Sequence, residues 1–425
     1  MSEYQMIKLL KYKLNGGALY YAIVVILLLS LFSSGFILLN RIWFHENVLF
    51  LKNTELNDNL DSASEWLKIQ PGLVASGETK ELDIFGDSSI VTIEAKKWGL
   101  LRLIKSTAQW RSLIIRRTSL YSGLNNNQPA LYLADNNRFL SLVGKCVITG
   151  DCNLPALGIR EGEMDGGTFT GKKMIDGKIS QSKNTLPELS PDLFKPFSGY
   201  WDKSFGATDS IVSITDLTRN PVSMVSFNSN TKVIDCGTNV CLQNISLSEN
   251  IIVVATDTIT ITSSVHLQDI LVFANTIIVA NDVHGVFQLF ARHNISIGEN
   301  CILRYPSFAV CHAKQTVAKI TLGKNSNVSG GIIIDSDTEN AGSNRLEMGE
   351  GTKLIGTVYV NGEVGFAGQI DGSLYCKKFY IDTPRAYYEN FLKDAVIDSK
   401  STPAMFGSFA INDSPDKLKP IKLCL

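Results

Sequence analysis

The amino-acid sequence predicts a mainly β protein, in which a long N-terminal membrane-spanning α-helix is followed by a small antiparallel sheet and a right-handed parallel β-helix. Three observations support this prediction. Residues 18–39 form an uncharged apolar run, residues 80–121 alternate apolar and polar side chains, and an apolar-x-apolar triplet recurs between residues 245 and 348. The 425 residues are enough for two or three domains.

The apolar run, ALYYAIVVILLLSLFSSGFILL, lies between Lys13 and Arg41. In helical form it spans roughly 33 Å, about the thickness of a hydrocarbon core. The short N-terminal side carries three lysines and one glutamate. By the positive-inside rule we expect residues 1–17 to form a cytoplasmic leader, with the bulk of the chain exported to the periplasm or cell surface.

A Gly-Gly pair immediately precedes the run, and residues 36–40 after it offer no signal-peptidase pattern of small residues. Residues 13–19, KLNGGAL, resemble the leader junction of type IV prepilins and type II secretion pseudopilins. The resemblance implies cleavage between Gly17 and Ala18, a pilin-like fold and assembly with other pilin-like subunits. The chain departs from the family at Ala22, where a glutamate is usual, although minor pseudopilins commonly lack that acid. An uncleaved signal anchor is the alternative interpretation.

Beyond Arg41, apolar residues recur among polar ones, which predicts that an amphipathic helix continues to Gln70, giving a helix over residues 18–70. Pro71-Gly72 ends it. Residues 71–125 then predict a pilin-like antiparallel sheet of about four strands, at 81–85, 90–95, 100–105 and 113–120. For the long helix, the alternative is a signal anchor followed by a membrane-proximal helix, which needs no pilus.

The repeat predicts the fold of the larger part of the chain. Six triplets begin, at separations of 14, 18, 18, 25 and 26 residues, at Ile245, Ile259, Ile277, Ile295, Ile320 and Leu346. Each precedes a short polar turn whose residue types favour positive φ: SEN, TSS, AND, GEN, GKN or GEG. Strand-forming repeats of this size favour the coils of a parallel β-helix over a sandwich. Crossovers between parallel strands are right-handed by strong preference, so we expect a right-handed helix.

The register of the coils follows from the same pattern. We expect Ile259, Ile277 and Ile295 to form one inward ladder. A second inward ladder is expected from three pairs that precede them, Val254-Ala255, Phe273-Ala274 and Phe290-Ala291.

We place the β-helix domain at residues 126–383, with an insertion around 187–229. Thr383-Pro384 is a typical helix start, so residues 384–425 are predicted to form a C-terminal capping helix and a tail. The glycine-rich residues 349–372 resemble the bactofilins, which are polymer-forming β-helical proteins. As a whole, the chain resembles exported envelope proteins of Bacteroidota that join a pilin-like N-terminus to a β-helical domain, and that likeness implies no enzyme activity.

Few residues suggest chemistry. Forty basic and forty-one acidic residues leave no electrostatic footprint for nucleic acid. The five histidines show no metal-ligand spacing, and no nucleophile elbow or phosphate-binding loop occurs, so we expect no catalytic residue, metal or cofactor. His266 and His284, one repeat apart, are expected to stack on the surface. Asp335, Asp337 and Glu339 form an acidic cluster that is either a polysaccharide-cleaving site or a solvated loop.

Two pairs of neighbouring cysteines are disulfide candidates in an exported protein: Cys146 with Cys152, and Cys236 with Cys241. The alternative is that they are buried as small apolar residues.

These patterns predict a membrane-anchored envelope protein with a structural role and no enzyme activity. It would be a minor pilin-like subunit of a type IV pilus or type II secretion-like machine, or a surface adhesin. The expected partners are the membrane, other pilin-like subunits, and extracellular polysaccharide or protein. The alternatives are a polysaccharide-binding or polysaccharide-cleaving β-helix and a self-polymerising scaffold.

Overall fold

The computed structural model describes residues 16–86, 89–124, 128–190, 193–219, 221–314, 316–337, 343–404, 406–407, 409 and 417–424. Residues 1–15 of the expected leader and Glu339 lie outside these ranges. The helices are α1 (Gly16–Ile69), a 3₁₀-helix (Lys195–Phe197), α2 (Ser198–Trp201) and α3 (Ile214–Arg219).

The strands, in chain order, are β1 (Thr79–Leu82), β2 (Ile90–Trp98), β3 (Leu101–Trp110), β4 (Leu113–Leu124), β5 (Leu131–Leu133), β6 (Leu140–Val143), β7 (Val147–Thr149), β8 (Cys152–Leu154), β9 (Ile159–Glu161), β10 (Glu163–Met164), β11 (Gly167–Thr168), β12 (Ile179–Gln181), β13 (Ser210–Ser213), β14 (Val222–Val225), β15 (Lys232–Asp235), β16 (Asn239–Leu242), β17 (Ser246–Glu249), β18 (Ile251–Val254), β19 (Thr258–Ile261), β20 (His266–Val279), β21 (His284–Ile297), β22 (Ile302–Ala313), β23 (Lys319–Leu322), β24 (Asn327–Ser336), β25 (Asn344–Met348), β26 (Thr352–Gly365), β27 (Gly368–Asp382), β28 (Tyr387–Glu389), β29 (Phe391–Lys393), β30 (Val396–Asp398) and β31 (Lys417–Cys424). The chain is therefore mainly β, as predicted.

α1 is one continuous helix of 54 residues, about 80 Å long, and confirms the predicted long N-terminal helix. It is long and apolar enough to cross a membrane, and its most apolar stretch is wholly exposed. Its C-terminal third packs against the other described parts of the chain. There Leu56, Leu60, Ala63 and Leu67, spaced at helical intervals, are fully buried.

These four side chains pack on a small antiparallel sheet, here called the neck sheet. Its strand order is β1-β2-β3-β4-β31, so the four predicted strands are present. The first is shifted from 81–85 to Thr79–Leu82, and the other three extend beyond their predicted C-terminal ends. The fifth strand, β31, comes from the C-terminal tail, for which the sequence showed no pattern. It pairs antiparallel with β4 and brings Leu418 into the core shared by α1 and the sheet.

Most strands between residues 131 and 398 form three ladders of parallel strands, which together are called the β-stack; β10 with β11 and β27 with β28 pair antiparallel instead. Most repeats visit all three. In β20, for example, residues 266–268 belong to ladder C, 271–274 to ladder A and 276–279 to ladder B, and each section pairs with the corresponding section of the next repeat. The apolar side chains between the ladders form the largest core. Parallel strands buried on their inner faces account for the repeated apolar triplets.

The predicted isoleucine ladder is confirmed. Ile259 pairs with Ile277 and Ile277 with Ile295 in ladder B, and all three are fully buried. The first triplet, however, was assigned wrongly. Ile245 precedes β17 in ladder C, whereas Leu242 of β16 occupies the position one repeat before Ile261. Ile259 pairs with Val240, 19 residues before it, whereas Ile245 lies only 14 residues before it. The physical reason for the wrong assignment is that a short apolar triplet fits either ladder.

Four of the six predicted polar turns behave as expected from their composition; in SEN the positive φ falls on Glu249 instead, and TSS has no residue with positive φ. Asp282, Asn300, Asn325 and Gly351 each occupy the third position of a predicted turn and have φ between 55° and 70°. Asparagine, aspartate and glycine are the residues that adopt this left-handed conformation most readily.

The second predicted inward ladder is right for its three alanines and wrong for the bulky residue that precedes each of them. Ala255, Ala274 and Ala291 do lie in the inner core. The bulky partners point outward instead, because side chains alternate across a strand, and Phe273 stacks on Phe290 with centroids 4.7 Å apart on the outer side of ladder A. They are nonetheless buried, since other parts of the chain cover them.

Residues 182–209, here called the return segment, provide part of this cover. The segment leaves the coils at β12 and runs along the outside of ladder A to β13 at the opposite end. Phe197 and Trp201 pack against the Phe273–Phe290 pair, and Trp201 Nε1 donates to the Phe290 carbonyl at 3.2 Å. The predicted insertion therefore ends earlier than 229, because β13 and β14 already belong to ladders A and C.

The order of strands in space differs from their order in sequence. In ladder A, β27 pairs with β5, β5 with β8 and β8 with β12. In ladder C, β30 pairs with both β27 and β7. The coils formed by residues 131–181 therefore stack beyond β27, and one level of the β-stack is built from β5 together with β29 and β30.

The predicted C-terminal capping helix is wrong. After Thr383-Pro384 the chain forms the short strands β28, β29 and β30, which lie within the β-stack. The aromatic and β-branched residues of this segment favour strands, and Asn390 and Asp394 have φ of 57° and 50°, which interrupts any helix.

Candidate functional site

The acidic cluster lies at the outer edge of ladder A. Asp335, the last but one residue of β24, is half-buried, and Asp337, which directly follows the strand, is exposed. Asp335 Oδ1 accepts a hydrogen bond from Asn361 Nδ2 at 2.8 Å, and Asp337 Oδ1 lies 3.3 Å from His312 Nε2. Each described carboxylate therefore has its own side-chain partner.

Parallel register extends this cluster into a polar row across several coils. His312 pairs with Asp335, and Asn361 and Lys377 are the next residues after the paired positions Val360 and Cys376. Sequence reasoning missed His312, Asn361 and Lys377. The signal was present, because each is one repeat away from its neighbour in the row, but it requires the register to be known.

The return segment covers part of this row. The Phe194 ring stacks on the His312 imidazole with centroids 4.4 Å apart, and Arg292, in the preceding coil, donates to Asp202 at 2.5 Å. His312 Nδ1 is buried and has no hydrogen-bond partner among the described residues. The row is thus partly covered by the return segment and partly exposed, and it carries both positive and negative side chains.

The other predicted sites are separate from one another. His266 and His284 lie at the exposed starts of β20 and β21, one repeat apart, as expected for a surface stack. Gly17 and Ala18 lie in the first turn of α1 and are exposed. No group of three or more His, Cys, Asp or Glu side chains among the described residues is placed to hold a metal ion.

The cysteines are not paired, contrary to the disulfide prediction. All eight are free thiols. Cys236 points into the inner core whereas Cys241 is exposed, so their side chains face opposite sides of the β-stack. Cys146 and Cys152 are both buried in that core, where burial raises the pKa of both thiols, that of Cys152 to about 12. They pack as small apolar residues, which was the alternative interpretation.

A buried polar joint connects the neck sheet to the β-stack. Trp98 Nε1 donates to the Asp269 carbonyl at 2.8 Å, and Gln288 bonds the backbone on both sides of Gly99, at Trp98 O and Leu100 N. Lys422 of β31 donates to Asp269 Oδ2 at 2.5 Å and lies 3.6 Å from Glu249.

Two carboxylates of this joint are almost completely buried, because the side chains of Asp269 and Glu249 are only 2% and 6% exposed. Burial opposes the charge on Lys422, but its hydrogen bond to Asp269 and the two negative charges raise its pKa above the usual value. The cation on the last strand therefore helps to hold the neck sheet against ladder A.

A second charge cluster lies on the outside of ladder B. Glu363, whose side chain is 10% exposed, is 2.8 Å from Arg345 and 2.7 Å from Lys378. Burial would raise the pKa of Glu363, but the hydrogen bonds and charges of the two cations outweigh it and lower the pKa. This cluster ties three successive coils together.

Comparison with known proteins gives little further information. No protein-family model matches the chain, and no curated protein matches it. Among solved structures, the chain is similar to the competence-associated pilin ComZ from Thermus thermophilus, with 10% identity over 82% of this chain and 86% of that one. The TM-score is 0.25, which is too low for this likeness to indicate the role of the present chain.

Proposed function

We propose that this protein is a single-pass envelope protein with an assembly role and no catalytic one. In this proposal α1 crosses the membrane with its N-terminus in the cytoplasm and packs against helices of neighbouring pilin-like subunits. The neck sheet then carries a right-handed parallel β-helix on the exported side. The observation that carries the proposal is that α1 continues as one helix past the length that a membrane requires, with large apolar side chains exposed along part of that continuation.

The helix offers two different faces beyond the expected membrane segment. Its sheet-facing side chains begin at Leu56. Between Arg41 and that point, four large apolar side chains are 64–70% exposed: Trp43, Phe44, Phe50 and Leu51. Trp43 and Phe50 form one row along the helix and Phe44 and Leu51 form another, because residues seven apart lie on nearly the same side. At 100° per residue, each row points about 130° away from the row that faces the sheet.

The membrane alone does not account for all four. Trp43 and Phe44 directly follow Arg41 and suit the membrane interface. Phe50 and Leu51 lie two turns further, roughly 10 Å from that interface. An exposed apolar stripe on a helix in water favours burial against another helix.

Photo-crosslinking in cells tests the proposal. A benzoylphenylalanine at Phe50, on the exposed stripe, is expected to trap other pilin-like subunits. The same probe at Glu81, on the exposed edge strand β1, serves as the control and should trap none. If Phe50 crosslinks only lipid, only unrelated proteins or nothing, the assembly role is wrong and a lone adhesin is favoured.

A second candidate function, polysaccharide cleavage, is favoured by one observation. Asp335 and Asp337 lie two residues apart at the end of β24, so both belong to the same side of the strand. Depolymerisation of a polysaccharide by the purified protein, abolished by Asp335→Asn combined with Asp337→Asn, would establish this alternative and exclude the non-catalytic role.

A further inference from the structure

A concave pocket of ≈ 780 Å³ lies on the outer side of ladder A, beside the end of the return segment. Its walls come from distant parts of the chain, because the coils formed by residues 131–181 stack there on β27. Asn153 and Gln181 contribute from one side and Asn361 and Lys377 from the other. The volume lies within the range of sites for small organic ligands.

Lys377 places an ammonium group in the wall of the pocket. It is partly buried, and its ammonium group makes no hydrogen bond or ion pair with any described residue. Burial lowers its pKa, while the charge of Asp335 acts in the opposite direction. Asp335 itself is hydrogen-bonded to Asn361. A partly desolvated ammonium without a direct partner is costly, so it favours an anionic ligand.

The rest of the lining suits a ligand rich in hydroxyl groups. Three side-chain amides line the pocket, from Asn153, Gln181 and Asn361. Asn361 Nδ2 already donates to Asp335 and the Gln181 side chain hydrogen-bonds Asp135, and the remaining amide N–H and C=O groups can meet hydroxyl groups. Lys183 adds a second ammonium, against which Glu188 is the one carboxylate among the described lining residues. The lining thus combines two ammonium groups, one carboxylate and three amides, and the carboxylate of Asp335 lies next to it, bonded to Asn361.

The rim is held in place by the protein itself. Tyr132 Oη donates to the Thr185 carbonyl at 3.2 Å, and Tyr359 Oη donates to the Pro187 carbonyl at 3.0 Å. Both tyrosines are at least nine-tenths buried. They fix the return segment against ladder A, so the pocket is formed before any ligand arrives, which lowers the cost of binding.

We propose that this pocket binds an acidic carbohydrate, with the ligand carboxylate at Lys377 and its hydroxyl groups at the amides. The proposal does not depend on the assembly role of α1, because the pocket and the stripe that contains Phe50 share no residue.

Isothermal titration of the full-length protein in detergent micelles tests it with a matched pair of disaccharides. Cellobiouronic acid carries a carboxylate where cellobiose carries a hydroxymethyl group. We expect the acid to bind at least about tenfold more tightly than cellobiose, because only the acid carries a carboxylate that can pair with the Lys377 ammonium group. Its affinity should fall as salt is added.

Two variants with the same change in net charge locate the site. Lys377→Gln should lose the preference for the acid, whereas Lys324→Gln, at an exposed turn where Lys324 pairs with Glu350, should keep it. Lys377→Gln should leave the unfolding midpoint unchanged or raise it, because a desolvated charge is removed.

Several results would overturn the proposal: equal binding of the two disaccharides, no saturable binding of the acid at millimolar concentration, or unchanged affinity in Lys377→Gln. Equal binding of propionate and cellobiouronic acid would also overturn it, since the carbohydrate would then not be recognised. A lower unfolding midpoint of Lys377→Gln would assign that residue a structural role instead. None of these results bears on crosslinking from Phe50.

Discussion

Truncation of Ile277 to alanine tests the register of the β-stack. The side chain is fully buried between Ile259 and Ile295, which occupy the same position one repeat before and one repeat after it. Its neighbour Ile278 is 39% exposed and points to the opposite side of ladder B. The two residues therefore form a matched pair with the same chemistry and adjacent positions.

The expected loss in the free energy of unfolding depends on whether the surrounding residues can move into the cavity that the truncation leaves. Removing three carbons from a fully buried isoleucine costs about 2 to 5 kcal/mol, and the larger values apply where the cavity cannot close. Ladder hydrogen bonds hold the backbone on both sides of Ile277, so neither neighbour can move inward. We expect Ile277→Ala to lower the free energy of unfolding by about 4 kcal/mol, and Ile278→Ala to lower it by less than about 1 kcal/mol.

Urea unfolding of the full-length protein in detergent, followed by far-UV circular dichroism, measures both losses. The urea dependence of the transition should stay the same in each variant, which would show that the same structure unfolds. A loss below about 0.5 kcal/mol for Ile277→Ala, or equal losses for the two variants, would place Ile277 on the surface and refute the register.

Three further predictions use other parts of the chain. Intact-mass analysis of membrane-extracted protein should show a mature chain beginning at Ala18, and leader retained on all of the protein beside a competent peptidase would contradict this. Lys422→Gln should destabilise the protein by about 2 kcal/mol, because Asp269 and Glu249 stay buried without their cation, and Lys422→Arg should restore most of the loss in the same unfolding assay. Glu363 has a lowered pKa in the folded state, so its stabilising contribution is present above its unfolded pKa of about 4.3 and is lost as the pH falls through the folded value. The stability difference between wild type and Glu363→Gln should accordingly be present at pH 7 and disappear in acid, and a difference that is constant with pH would contradict the assignment.

The sequence alone determined the features that depend on local pattern. The uncharged run, the amphipathic continuation and Pro71 together determine α1 to within two residues of its bounds, because helix formation and membrane length depend on neighbouring residues. Ladder B was predictable from Ile259, Ile277 and Ile295, since an inward side chain must recur once in each coil. The polar turns were predictable for a similar reason, because only a few residue types accept positive φ.

Only the tertiary structure decided which distant segments meet. The tail strand β31 completes the neck sheet, and β5, β29 and β30 share one level of the β-stack, although more than two hundred residues separate β5 from the other two. No local pattern encodes such pairings, because the strand edges at the end of any coil offer the same backbone groups. Phe273 points outward from ladder A and is nevertheless buried, because the return segment covers it; this too was decided only by the tertiary structure. The pocket around Lys377 likewise exists only where the two halves of the β-stack meet.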